Sequence, residues 1–142
     1  MGELRESSES AYYKSPKATL TREDLKKYAE NKAALKAVEY KISSIEAELE
    51  YYISSGAESI FSHNKQMLIK SLHELIPKRL LLERKLYEIE IKVENIPNKR
   101  TRDIIHMHYI KGMDIKEIAA KTKSTRDAIY KVINRCFPST KS

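Results

Sequence analysis

The chain has 142 residues, of which 33% are charged, with only 3 Gly, 4 Pro and no Trp. So few helix breakers and so much charge argue against a β-sandwich or a doubly wound sheet, and predict an all-α protein of long, solvent-facing helices. The formal net charge is +7, and it is unevenly placed: residues 1–95 carry 16 basic and 16 acidic side chains, leaving 11 and 4 of the totals of 27 and 20 for residues 96–142. A basic excess confined to one segment is the electrostatic footprint of a polyanionic partner. No apolar run approaches the roughly eighteen residues of a membrane span, so no membrane association is expected. The opening MGELRESSES lacks the basic start and apolar stretch of a signal peptide, and Glu6 stands where a myristoylation motif needs Ser or Thr. A single cysteine, Cys136, excludes an intrachain disulfide and suits a reducing cytosol.

Residues 1–20 are polar and without apolar period, which predicts a mobile tail. A helix start follows at Thr21, with Asp24 three residues on. From there Tyr28, Leu35, Ile42 and Leu49 repeat every seven residues, as do Asn31, Val38, Ile45 and Tyr52. These rows predict a coiled-coil-type helix reaching Ile53, about 45 Å long at ~1.5 Å per residue, and ended by Ser54-Ser55-Gly56. After a loop or short helix between Ala57 and Ile76 comes a second heptad, with Leu75, Leu82, Ile89 and Ile96 in one row and Leu72, Arg79, Leu86 and Val93 in the other. Because proline is tolerated at a first helical position and not in the interior, this helix is expected to begin at Pro77. Two seams of similar length predict a helical hairpin over 21–95, although each seam could instead meet its copy in a homodimer.

Pro97 marks the expected boundary of a separate domain over 96–142, where the heptad gives way to short helices. The first, Lys99–Ile110, is expected to bury Ile104, Ile105 and Tyr109, and to stop at Lys111-Gly112. The second starts at Asp114 with Glu117 three residues on, and its inner face is Ile115, Ile118, Ala119 and Thr122. Ser124 or Thr125 then caps a third helix to about Cys136. Ile129, Val132, Ile133 and Cys136 lie on one side of it, and Arg126, Asp127, Tyr130, Lys131 and Asn134 on the other.

That outer face suits double-stranded DNA. A guanidinium grips guanine, an amide pairs with adenine, and Lys and Tyr serve phosphates or a thymine methyl. Lys121, Lys123 and Arg126 flank the start of the helix, where a backbone phosphate would lie, and Thr125 is a further DNA-contact candidate. Lys99, Arg100 and Arg102 are weaker candidates for backbone contact. A short helix, a tight turn and a helix that is basic outside make a helix-turn-helix.

The stretch NKRTRDIIHMHYIKGMDIKEIAAKTKSTRDAIYKVINRCF resembles sigma-70 region 4. The matching positions are Ile104, Ile105, Met107 and Tyr109, then Ile118 and Ala119, then Thr125 for the capping Ser, and finally Ile129, Val132, Arg135, Cys136 and Phe137. Thr122 stands where that family has a turn Leu, and Lys123 where it has Gly, so the family turn would require a positive φ at Lys123. Such a module after a helical region is similar to phage late-gene regulators of the ArpU/RinA type. This resemblance implies a transcriptional activator of phage packaging and structural genes, acting in the cytoplasm of a bacterial host.

Competing readings are a small-terminase-like packaging protein, which would form rings, and a helical protein-interaction module that binds a partner such as RNA polymerase, with the basic segment docking on protein. No enzyme is expected, since there is no glycine-rich phosphate loop and no catalytic domain to accompany the module. No small-molecule substrate or cofactor is implied. His106 and His108, two residues apart, point to different helix faces and make a poor metal pair. Cys136 reads as core rather than nucleophile.

Overall fold

The computed structural model describes residues 19–56 and 62–137. Among these the fold is all-α. Helix α1 runs Arg22–Ser54, α2 Ser62–Glu94 and α3 Lys99–Ile105; a π-helical turn at His106–Ile110 continues α3, and α4 (Ile115–Lys121) and α5 (Arg126–Cys136) come after it. Most of the expected N-terminal tail lies outside the described residues, but Leu20 at its end is buried, so ordered packing precedes the first helix. None of the described helices is long and apolar enough to cross a membrane.

Local chemistry sets the ends of α1. The Thr21 hydroxyl accepts from the Asp24 amide at 3.1 Å, and the Asp24 carboxylate accepts from the Thr21 amide at 3.0 Å, a reciprocal capping box. At the other end Gly56 takes φ +74°, the left-handed conformation that terminates a helix at little cost for a residue without Cβ. All eight heptad positions of α1 are buried or half-buried, including Asn31.

Helix α2 differs from the expectation. It does not begin at Pro77 but fifteen residues earlier, at Ser62, and carries Pro77 in its interior. Proline in mid-helix forfeits one backbone hydrogen bond and crowds the preceding turn, at a cost of about 3 kcal/mol. The compensating term is packing on both sides of the proline. Leu72, Leu75 and Ile76 before it, and Leu82 after it, pack with Val38 and Ile42 of α1. Leu82 is buried and Leu72, Leu75 and Ile76 partly so; at roughly 1.5–3 kcal/mol for a fully buried side chain, the four together offset the proline penalty.

The chain divides into two compact units. One, Glu30–Leu86, is the middle of the hairpin with the Val38–Ile42–Leu82 core. The other joins the start of α1, through Ala29, to everything from Tyr87 onward. This second unit is larger than residues 96–142. Within it Lys92 pairs with Asp24 at 3.1 Å, and the Tyr28 hydroxyl donates to Glu90 at 2.6 Å. Numbers rise along α1 as they fall along α2, so the helices run antiparallel within one chain. Val93 is completely buried in the same unit, with Leu25, Tyr28 and Ile89 nearly so. A three-helix module of about forty residues buries little apolar surface and is marginal by itself, and the hairpin's end supplies more.

Candidate nucleic-acid interface

The three short helices close around aliphatic side chains. Ile104, Ile105, Ile118 and Ile129 are fully buried, and Ala119 and Ile133 nearly so. Asn98 caps α3, its side-chain oxygen accepting from the Thr101 amide at 2.9 Å. The predicted regular helix to Ile110 is interrupted: from His106 the backbone widens into a π-turn, closed by the Lys111 amide donating to the His106 carbonyl at 3.0 Å. A π-turn admits one extra residue and re-aims the chain beyond it. Here it sets the His108 ring against the edge of Tyr109, with centroids 4.6 Å apart, and brings His108 Nδ1 within 2.8 Å of the Met113 carbonyl. A carbonyl only accepts, so that nitrogen carries the proton. Tyr109 is half-buried, and burial raises its phenol above the usual tyrosine value.

Asp114 and Glu117 form the predicted capping box at the head of α4, with bonds of 2.8 and 3.1 Å. The turn after α4 passes through the left-handed region at a non-glycine residue. Lys123 adopts φ +56°. Its amide donates to Ala120 at 3.3 Å, while the Ser124 amide reaches back to Ala119 at 2.8 Å. These two bonds are the paired closure of a Schellman motif, with a lysine where glycine is usual. Thr125, rather than Ser124, caps α5, accepting from the Ala128 amide at 3.1 Å.

Helix α5 sorts its side chains as the period predicts. Ile129 and Ile133 are buried and Val132 and Cys136 half-buried, while Arg126, Asp127, Lys131 and Asn134 are exposed and Tyr130 is 51% exposed. Lys121, Lys123 and Thr125 are exposed beside its N-terminus. That end also carries the positive pole of the helix dipole, which adds to the attraction for an anion. Burial pushes the Cys136 thiol above its ordinary value, so it sits as a neutral, weakly reactive group.

The flanking cations differ in their freedom. Lys99 pairs with Asp103 at 2.8 Å and remains well exposed. Arg100 donates to the Ser124 hydroxyl at 3.0 Å, tying α3 to the turn before α5. Arg102 is half-buried and donates to the Ile96 carbonyl at 2.9 Å, which anchors the segment around Pro97. Of these three it is the one most committed to the protein's own backbone.

Arg22 was not legible as part of this surface. From the first residue of α1 it donates to the Asn134 side-chain oxygen at 3.2 Å and lies 5.1 Å from the centroid of the Phe137 ring. The two hydrogen-bonded residues are 112 positions apart, and no local pattern links them. Among the described residues no group of three metal-binding side chains occurs, His106 and His108 included. Compared with known proteins, the chain matches no family model, no curated protein and no solved structure.

Proposed function

We propose that the protein is a sequence-specific DNA-binding transcriptional regulator that lays α5 in the major groove. The observation that carries this reading is the exposed Arg126, Tyr130, Lys131 and Asn134 face of a helix whose opposite side is locked into α3 and α4. Arg126 and Asn134 supply base-edge contacts, Tyr130 a thymine or phosphate contact, and Lys121, Lys123 and Lys131 hold the phosphate backbone. Asp127 disfavours a phosphate at its own position and so helps set register. The concentration of positive charge in the same third of the chain supports the same partner.

The resemblance to sigma-70 region 4 and to the ArpU/RinA regulators extends the proposal to a phage-encoded activator of late genes. It would act in the bacterial cytoplasm at the nucleoid, in reach of RNA polymerase. A homodimer fits this role, since paired half-sites need two copies. Tyr40 of α1 and the adjacent Leu80 and Leu81 of α2, each more than half exposed, are apolar side chains available for pairing.

The test is binding of the purified protein to a library of random duplexes, followed by salt titration on the selected sequence. Arg126→Ala is expected to reduce discrimination between selected and random duplex, by about 1–3 kcal/mol per lost base contact. Lys121→Ala should weaken both alike and lower the salt slope by about one. Equal affinity for all duplexes in wild type and both variants would remove α5 as a reading head. Light scattering on the same sample separates a dimeric regulator from a packaging ring.

A further inference from the structure

A second cationic surface lies on the same short helices; it shares Lys121 with the proposed DNA-contacting set and is otherwise apart from the outer face of α5. The first turns of α3, the π-turn and the end of α4 line an open groove of 710 Å³. Lys99, Arg100, His106, Lys111 and Lys121 line it, against a single carboxylate, Asp103, and its apolar part comes from Ile104 and Met107. We propose that this groove is a phosphate-binding site.

Three observations lead to this chemistry. First, the one acid is already satisfied. Lys99 bonds Asp103 at 2.8 Å, and that hydrogen bond holds the carboxyl below the usual aspartate range, so it stays paired and ionised. Neither Lys111 nor Lys121 forms an ion pair among the described residues, and both are exposed. The groove therefore keeps an uncompensated positive field, which a concave wall focuses.

Second, Arg100 is held in place. Its bond to Ser124 Oγ fixes the guanidinium at the groove and uses only part of a five-donor fork. Third, the donors come from three separate elements around one cavity. A tetrahedral phosphate, whose oxygens accept from several directions, matches such convergence better than a flat carboxylate, which engages one fork. The phosphate is either a diester of a DNA backbone running past α3 or the terminal group of a phosphorylated small molecule.

Lys111 and His106 belong to this groove and not to the recognition face, so Lys111→Gln and His106→Gln address it alone. Wild type and variants are titrated with potassium phosphate, with potassium chloride at matched ionic strength as control, and followed by NMR. Lys111 is exposed on a turn, so its variant keeps the fold even if the half-buried His106 position does not tolerate change.

Saturable shifts with phosphate, confined to groove residues and weakened several-fold in Lys111→Gln, are expected. Equal responses to phosphate and chloride, or shifts unchanged in Lys111→Gln, would overturn the proposal. A duplex arm, which alone rests on the DNA reading, identifies the source. If Lys111→Gln lowers the salt slope of duplex binding by about one, the phosphate belongs to DNA. If the slope stays while phosphate binding is lost, the occupant is a phosphorylated small molecule. A wild-type protein that binds no duplex defeats the DNA reading and leaves the groove to be decided by the inorganic phosphate titration.

Discussion

Arg22 and Asn134 are joined by a 3.2 Å hydrogen bond from the guanidinium to the amide oxygen, although one opens the first long helix and the other lies in the last short one. The same guanidinium stands over Phe137, a buried ring just past the end of α5. With its oxygen accepting from Arg22, the Asn134 side chain has its orientation fixed, and its NH2 is the donor that the proposed base contact would use. Arg22 thus positions a residue of the proposed reading face without itself belonging to α5.

Removing that guanidinium should have a modest and specific effect. Arg22→Ala is expected to cost about 0.5–1.5 kcal/mol in urea unfolding, since a partly exposed cation–π contact and one exposed hydrogen bond are lost. In a double-mutant cycle with Asn134→Ala, measured on duplex binding, the two changes should be non-additive. Simple additivity would show that Arg22 does not act through Asn134.

Lys123 offers a way to separate conformation from charge. A non-glycine residue in the left-handed region is strained by about 1–2 kcal/mol, and glycine gives back part of that relief through its greater entropy when unfolded. Lys123→Gly should therefore raise stability by roughly 0.5–1 kcal/mol while lowering duplex affinity and the salt slope together. Lys123→Ala should lose the charge and keep the strain. A glycine variant that melts earlier than wild type would contradict the positive φ at this position.

Pro77 tests the continuity of α2. It is exposed and lies within one uninterrupted helix, so Pro77→Ala restores a backbone donor and removes the ring's steric conflict. Thermal unfolding should shift upward, by about 1–3 kcal/mol in stability. If the helix in fact started at Pro77, alanine would gain nothing and would forfeit a preorganised first turn.

The Tyr28 phenol is pushed well above the ordinary tyrosine range, first by burial and then by its hydrogen bond to Glu90. The folded state thus favours the neutral phenol. Its contribution is fully present below the unfolded value of about 10 and is lost as pH rises from there toward the folded value. Tyr28→Phe lacks this linkage. The stability gap between wild type and variant in urea unfolding should be constant near about pH 8 and should narrow near about pH 11. A gap that widens with alkalinity would mean the phenolate, not the phenol, is the favoured form.

Periodicity and caps made much of this protein readable from its residues. The heptad rows of α1 and α2, the capping boxes at Thr21 and Asp114, and the inner and outer faces of α5 all rest on contacts within a few residues, where spacing dictates geometry. The positive φ at Lys123, in the tight turn between α4 and α5, is of the same local kind. What only the tertiary structure decided depends on groups far apart in the chain. Pro77 stays inside α2 because Val38 and Ile42 reward the turns around it, a gain that local propensity does not register. The unit holding the short helices reaches back to the start of α1, where the hairpin's end adds apolar surface to a module of marginal size. Arg22 meets Asn134, and five basic side chains line one groove, through the packing of separate helices. Local order is encoded in neighbouring residues; which side chains share a surface is settled only when distant segments exclude water together.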